Sequence, residues 1–465
     1  MFTYDVKIWV IRSRGSSHQV RWRVGTKEFA ETFPVKASAE GRRAELLLAQ
    51  RDGQQFDTET GLPRSELKSR RATETWYAHT LAYVVMKWPN VSAKHRASIA
   101  DSLATVTPKL VRDSRGAPSP KALRRALFSW AYQLGQDEQG QLRPRFELGD
   151  PPEEIAEALT WIAKRSVPLT DLESTECLRN ALAALELKLD GTKAAENTVN
   201  RKHPVFSNSL RYAVEREFLD RVPLYKVDWK PPKSEDEIDF RYVPGPALSR
   251  DLIEAVGRQG QRGRHLKAFF GCIYYAAMRP GEVRGLKESD CKLPSQGWGE
   301  LLPDSSSPSV GSGWTDSGAS FDSRGLKKRA RKSVRPVPIP PVLVRLLRAQ
   351  ADEFGTGSEG HLFQAARGGL LLSKEYPEIW RAARVAVLSK KEAATPLADT
   401  PYSLRHAGVS LWLSSGVPPA EVARRAGHSI AVLFRFYAKA IHGQEQQANE
   451  RIERALNRPD EERER

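Results

Sequence analysis

The chain has 465 residues, enough for about two to four domains with sizeable cores. Its 73 Lys and Arg outnumber 57 Asp and Glu, a formal net charge of +16, which favours a polyanionic partner, with nucleic acid the first candidate. The three cysteines, Cys177, Cys272 and Cys291, lie far apart, which argues against a disulfide framework or a cysteine metal site and fits a reducing cytoplasm; with no apolar run of about 18 residues, no membrane helix is expected, and Met1–Asp5 does not open a signal peptide.

In chain order, residues 4–33 read as three strands. Tyr4, Val6, Ile8 and Val10 alternate with their neighbours, as do Val20, Trp22 and Val24 with Arg21 and Arg23, and a third run covers Glu28–Phe33. Pro34 ends the sheet, and Ala37–Gln50 reads as a helix. Residues 51–71, with turn signals at Asp52-Gly53 and Thr60-Gly61-Leu62-Pro63, read as a linker. From Thr75 the pattern is helical: Lys109–Asp113, Lys121–Leu134 with Leu123, Ala126, Leu127, Trp130 and Ala131 on one stripe, Ile155–Ala163, Glu173–Leu189 and Asn197–Glu217. The polar stretch Gly135–Gly149 reads as a loop within this region. Residues 226–247, with Lys230-Pro231-Pro232-Lys233 and Pro244-Gly245-Pro246, read as an interdomain linker.

A second region starts near Leu248. An apolar helix over Lys267–Ala277 runs into Arg279-Pro280-Gly281-Glu282; a proline suits the first turn of a new helix, which leaves Arg279 at a break where its side chain can project. Residues 294–323 are rich in Ser and Gly, with strand character near Trp298–Leu302. Then comes a basic run, in which seven of the twelve residues from Arg324 to Arg335 are Lys or Arg and none is acidic. Val342–Glu353 and Lys374–Val387 read as helices. The stretch around which the rest is organised follows: Tyr402-Ser403-Leu404-Arg405-His406, an apolar helix, Gly427-His428 at a helix end, and Tyr437 nine residues later. Tyr402 and Arg405 share a helix face. Arginine and histidine can neutralise a phosphodiester, and a tyrosine hydroxyl can attack it. Alone, such an arginine reads as a surface residue and such a tyrosine as core; the joint spacing is far more specific. Gln444–Asn457 forms an amphipathic tail with Ala448, Ile452, Ala455 and Leu456 on one stripe.

Arg279 followed by Gly281-Glu282, Tyr402 with Arg405, Gly427-His428 and Tyr437 together resemble the tyrosine recombinase (phage integrase) family, over residues 248–442 and more weakly over 75–225. The resemblance implies a fold that is mainly α with small β elements (α+β): an N-terminal arm-DNA-binding-like unit of three strands and a helix (1–64), a helical core-binding domain (72–225), a linker (226–247), a mainly helical catalytic domain with a β-hairpin sheet (248–443) and a tail helix (444–465). It implies a site-specific DNA recombinase, an integrase of a phage or mobile element, that cuts and rejoins DNA through a 3′-phosphotyrosyl link. Tyr437 is then the nucleophile, Arg279 and Arg405 hold the phosphate, His428 donates a hydrogen bond or assists proton transfer, and a hairpin lysine, Lys327 or else Lys328, protonates the leaving 5′-oxygen. Neither metal nor cofactor is expected. Tyr402 departs from the family's usual histidine; its hydroxyl is expected to position the phosphate, the alternative being that it only packs beside Arg405. DNA contacts are expected from Lys328, Arg329, Arg331 and Lys332, and from Arg21 and Arg23 on the N-terminal sheet. The partners implied are double-stranded DNA at core and arm sites, copies of the same chain in a tetramer, and an accessory directionality factor, all in a bacterial cytoplasm at the nucleoid and not at a membrane. The rival readings are a non-catalytic DNA-binding regulator on the same scaffold and a type IB topoisomerase-like enzyme.

Overall fold

The computed structural model describes residues 2–67, 74–233, 238–303, 305–306, 308–322, 324–325, 335–357, 359–442 and 445–456. The architecture is mainly α with several small antiparallel sheets, and the chain divides into two compact units, Met1–Lys233 and Ser234–Arg465.

The first unit opens with a sheet centred on Ser17–Val24. Lys27–Phe33 pairs along one edge of it; Val6–Ile8 and Arg12–Arg14 share the other, with Val6 opposite Val24 and Arg12 opposite Gln19. These two short strands are one interrupted strand, so the expected three-strand pattern holds with a break at 9–11. Alternation sends Val20, Trp22 and Val24 into a core shared with Ala39, Leu46 and Ala49 of the helix Lys36–Arg51, while Arg21 and Arg23 face outward. Residues 51–67 are not a linker. Phe56–Asp57 pairs with Phe2–Thr3, Phe56 and Leu62 enter the same core, and the Gly61 carbonyl accepts a hydrogen bond from Trp22 Nε1 at 2.6 Å. Two apolar residues among turn formers make no periodic signal, yet each is buried.

Six helices dominate the rest of this unit: Trp76–Lys87, Ala93–Val106, Pro120–Ala126, Glu153–Arg165, Thr175–Leu185 and Glu196–Glu215. Thr75 caps the first through its hydroxyl, which accepts the Ala78 N–H. The helix expected at Lys109–Asp113 is absent, because Val111 bridges Ser166 in extended form; the helix lies earlier, at Ala93–Val106, where alanines 93, 100 and 104 supply much of the buried face and give little hydrophobic signal. The expected loop at Gly135–Gly149 holds a hairpin, Leu134–Gln136 with Leu142–Pro144, and a short helix, Arg145–Leu148. Its turn is fixed by Asp137, whose carboxylate accepts the N–H groups of Gln139 and Gln141.

In the second unit the helix Gly260–Tyr275 is central. It packs against Pro246–Gly257, Pro341–Phe354 and Tyr402–Ser414, and buries Phe269, Phe270, Ile273 and Tyr274. Its approach to Tyr402–Ser414 is close: a Cβ on Gly408 would run into the Tyr274 carbonyl. A small sheet places Gly299–Leu301 between Cys291–Lys292 and Val337–Ile339, and Ser305–Ser306 pairs with Arg324–Gly325. Pro377–Val387, Pro419–Ala426, Ile430–His442 and the tail helix Glu445–Leu456 follow, the last with Ile452 and Leu456 exposed. Among the described residues no helix is long and apolar enough to cross a membrane.

Candidate active site

The site forms where three chain breaks meet. The first follows Gly260–Tyr275. Ala277 takes φ +45°, a left-handed conformation rare for a residue with a Cβ, and Arg279 is the N-cap of the short helix Pro280–Arg284. The second is the C-terminus of Pro419–Ala426. Gly427, at φ +65°, closes it in a Schellman motif, with His428 N–H bonded to the Ala423 carbonyl and Gly427 N–H to that of Arg424. Only glycine fits here, since a Cβ would strike the Arg335 guanidinium. The third is inside Ile430–His442, where Tyr437 leaves helical geometry with φ −122° and ψ 15°.

Arginines converge on these ends. Arg405, on the first turn of Tyr402–Ser414, is completely buried; its guanidinium donates to the Ala277 and Ala426 carbonyls, the latter at 2.6 Å, and to His428 Nε2 at 2.7 Å. Arg279 donates to the Gly427 carbonyl at 2.9 Å and to Glu282 Oε1 at 2.8 Å, while its own N–H is held by Glu282 Oε2. The terminal carbonyls of Pro419–Ala426 thus take positive groups where the helix dipole favours them. Arg335 is also buried and grips Glu282 with two bonds, Nη2–Oε2 at 2.7 Å and Nη1–Oε1 at 3.2 Å.

The electrostatics follow from burial. Burial alone would raise the Glu282 pKa, but the Arg335, Arg279 and Arg405 charges overcome this and bring it down to about 2. For Arg405 burial and the Arg279 charge act together to lower the pKa, yet a guanidinium stays charged. Arg279 and Arg335 therefore share one carboxylate, and the buried Arg405 adds a third positive charge near it, a surplus that an incoming anion would offset. Burial and the Arg405 and Arg279 charges hold His428 down to about 3, so it is neutral. Because its Nε2 accepts from Arg405, its proton sits on Nδ1, which is buried without a hydrogen-bond partner.

Tyr437 is 1% exposed, and burial raises its pKa above the usual phenol value. Its ring lies 6.1 Å from that of His428, 5.9 Å from that of His406 and 6.2 Å from that of Phe240. Its hydroxyl is hydrogen-bonded to His406 Nδ1 at 2.8 Å. Tyr402 is 37% exposed; its ring meets His406 edge-on at 5.1 Å and lies 5.9 Å from the Arg405 guanidinium carbon.

Of the residues expected from sequence, Arg279, Tyr402, Arg405, His428 and Tyr437 come together in this one place. Lys327, Lys328, Arg329, Arg331 and Lys332 lie outside the described residues. Arg21 and Arg23 are on the N-terminal sheet, each in an ion pair, with Glu28 at 2.9 Å and Asp5 at 3.1 Å. Sequence reasoning missed His406 and Arg335. His406 adjoins Arg405, and its position one step round the helix was the available signal. Arg335 was hidden as the last residue of a run that reads as uniformly solvent-facing. Among the described residues there is no cluster of His, Cys, Asp and Glu able to hold a metal ion.

No protein-family model and no curated protein matches the chain. Among solved structures it is similar to the Tn1549 transposon integrase in complex with a circular intermediate DNA (14% identity, TM-score 0.48, covering 67% of this chain and 96% of that one). It is similar also to the XerH site-specific recombinase bound to palindromic difH substrate (12%, 0.43, 76% and 94%) and to a lambda integrase tetramer bound to a Holliday junction (14%, 0.40, 61% and 72%). At identities and TM-scores this low, the chemistry has to be read from this chain's own side chains.

Proposed function

We propose that this chain is a site-specific DNA recombinase of the tyrosine class, an integrase of a phage or mobile element, that cuts and rejoins double-stranded DNA through a 3′-phosphotyrosyl intermediate. The observation that carries the reading is the convergence of Arg279, Arg405, His428 and Tyr437, brought from separate segments into one place where the Arg405 and Arg279 charges act on the tyrosine. Tyr437 Oη attacks the scissile phosphorus and releases a 5′-hydroxyl. Arg279, the more exposed of the two arginines, meets the non-bridging oxygens first; Arg405 supports the charge that builds up in the transition state from below. The Nδ1–H of His428, without a protein partner, is the donor left for a phosphate oxygen. Tyr402 positions the phosphate from the exposed side. Lys327, or Lys328 beside it, protonates the leaving oxygen, an assignment that rests on the basic run of the sequence. The phosphotyrosyl bond conserves the energy of the cut backbone, so religation needs no ATP and no metal. Residues 1–64 act as an arm-binding unit, 72–225 as the core-binding domain, and copies of the chain assemble as a tetramer, with an accessory factor setting direction.

The test is covalent capture. The protein is incubated with a pool of duplexes randomised over a central segment, and complexes that survive detergent are recovered and sequenced. Enrichment of one duplex with protein joined to a 3′ end is expected, and no adduct from any duplex would refute the reading in favour of a non-catalytic binder. Two copies of the enriched duplex should then exchange strands; relaxation of supercoils without exchange would favour the topoisomerase-like alternative.

A further inference from the structure

We infer that His406 is the group that takes the proton from Tyr437 as the tyrosine attacks. The inference rests on the recombinase reading and adds to it a catalytic residue that neither motif spacing nor the arginine set assigns. Its ground is contact: His406 Nδ1 lies 2.8 Å from the Tyr437 hydroxyl, the reacting atom itself.

The other candidates are excluded by their own bonds. His428 has its Nε2 lone pair on Arg405, and its Nδ1 therefore carries hydrogen and cannot accept. Tyr402 offers a phenol, a poor proton acceptor near neutral pH. Arg279, Arg335 and Arg405 are donors only. The Glu282 carboxylate is committed to Arg279 and Arg335 on both oxygens. Among the described residues around the tyrosine, His406 is the one with a ring nitrogen in hydrogen-bond contact with its hydroxyl, and in the tautomer protonated at Nε2 that nitrogen accepts.

The groups facing His406 fit the role. Arg405 and Tyr402 flank it on its own helix, and Tyr437 and His428 face it from the segment packed across. Burial, with the Arg405 charge, holds its pKa down to about 4, so the imidazole is unprotonated and ready at neutral pH. The same environment raises that of Tyr437, so the proton stays on the tyrosine until phosphorus is attacked. In the step, the Oη–H bond breaks as Oη–P forms, the proton passes to Nδ1, and the P–O5′ bond breaks with its electron pair going to the 5′-oxygen, which takes a proton from the lysine side. Religation runs the path backwards, and the His406 proton returns to Tyr437.

The experiment uses the captured duplex in two forms, one ordinary and one with sulfur in place of the bridging 5′-oxygen. A thiolate leaves without a proton, so defects on the leaving side are rescued by sulfur and defects on the nucleophile side are not. His406→Asn keeps a hydrogen-bond acceptor without a usable base, and His406→Phe removes both. Single-turnover cutting is measured per bound complex across pH for the wild type and both variants. Both variants should be slower by about 100-fold or more on both duplexes. The wild-type rate should fall in acid as His406 becomes protonated, and this limb should vanish in His406→Asn; loss of folded protein would lower a rate without removing a limb. Cutting by His406→Asn within a few-fold of wild type, rescue by sulfur, or an unchanged acid limb would each overturn the inference alone. Absence of any wild-type adduct would overturn the recombinase reading and this inference with it.

Discussion

The chain holds two sets of arginines that a count of charges would treat alike. On the N-terminal sheet, Arg21 and Arg23 face water, each paired with one carboxylate and each more than a third exposed. In the second unit, Arg335 and Arg405 are buried; Arg335 shares the single carboxylate of Glu282 with Arg279, and Arg405 adds its charge beside them. An exposed pair exchanges water for a partner at little gain and is screened by salt. A buried pair is committed, because removing either member strands the other in a medium that cannot solvate it. The sheet arginines are thus free to change partners, whereas the buried ones fix backbone: their donors hold the Ala277, Ala426 and Gly427 carbonyls and so lock together the breaks that shape the site.

The largest expected effect lies at the centre of the buried set. Tyr437→Phe removes one oxygen and should abolish the covalent adduct while DNA binding persists; an adduct formed by the variant would show that another residue is the nucleophile. Next comes Glu282→Gln. Leaving Arg279 and Arg335 without their counter-charge should cost about 3–5 kcal/mol of stability, read as a fall in the urea midpoint. Its pH dependence has a definite sign. The folded-state pKa of Glu282 is depressed to about 2, so its contribution is fully present above the unfolded carboxyl value and is lost as pH falls toward 2. Wild-type stability should therefore fall across that acid window more steeply than that of the variant. A double variant, Glu282→Leu with Arg335→Leu, sharpens the contrast: stability should recover in part, since a packed apolar pair can replace a buried ion pair, while cutting should be lost because Arg279 keeps only its bond to the Gly427 carbonyl. Recovery of cutting with stability would mean that the pair serves the fold only.

The two regions also differ in how well the sequence announced them. The strands around Arg21 and Arg23 were legible because alternation is local, although Trp22 also bonds the Gly61 carbonyl 39 positions on. That Arg279, Arg405, His428 and Tyr437 come together was legible because their joint spacing marked them as one set. The pairing of Arg335 with Glu282 was not, for it spans 53 positions and buries an arginine that lies two residues before the strand Val337–Ile339, at the end of a basic run. The contact of His406 with Tyr437 likewise needs the kink at Tyr437, which an apolar helical pattern over Ile430–His442 conceals. Phe56 and Leu62 closed the N-terminal core from a segment that reads as a linker.

A smaller effect is expected at the rim of the site. Tyr402 meets His406 edge-on and stands near Arg405, but is 37% exposed. Losing its hydroxyl should slow single-turnover cutting by about tenfold, the worth of one neutral hydrogen bond at roughly 1.4 kcal/mol. Tyr402→His should stay active, and Arg405→Ala should be far worse than either, since it removes charge-assisted bonds and unlocks two chain breaks. Equal loss in Tyr402→Phe and Arg405→Ala would remove the distinction between rim and core.

The smallest effect belongs to the exposed set, and it tests whether the sheet is a DNA face at all. Arg21→Gln and Arg23→Gln should each change stability by less than about 1 kcal/mol, because each breaks one solvent-screened pair and Trp22 behind them stays packed. Binding is another matter. If both arginines reach phosphates, each must first leave Glu28 or Asp5, and each then releases condensed counterions from the duplex. The double variant should bind a non-specific duplex with a salt dependence shallower by up to about 0.9 per lost contact in the slope of log affinity against log salt. The released carboxylates should strengthen the same signal in reverse: Glu28→Gln with Asp5→Asn frees both arginines and removes two like-charged neighbours of the DNA, so binding should tighten at low salt. Slopes unchanged in both double variants would mean that the outward face of the sheet holds its charges for its own acids, and that the surplus of positive charge that meets DNA lies with the buried set and the basic run that follows Arg324.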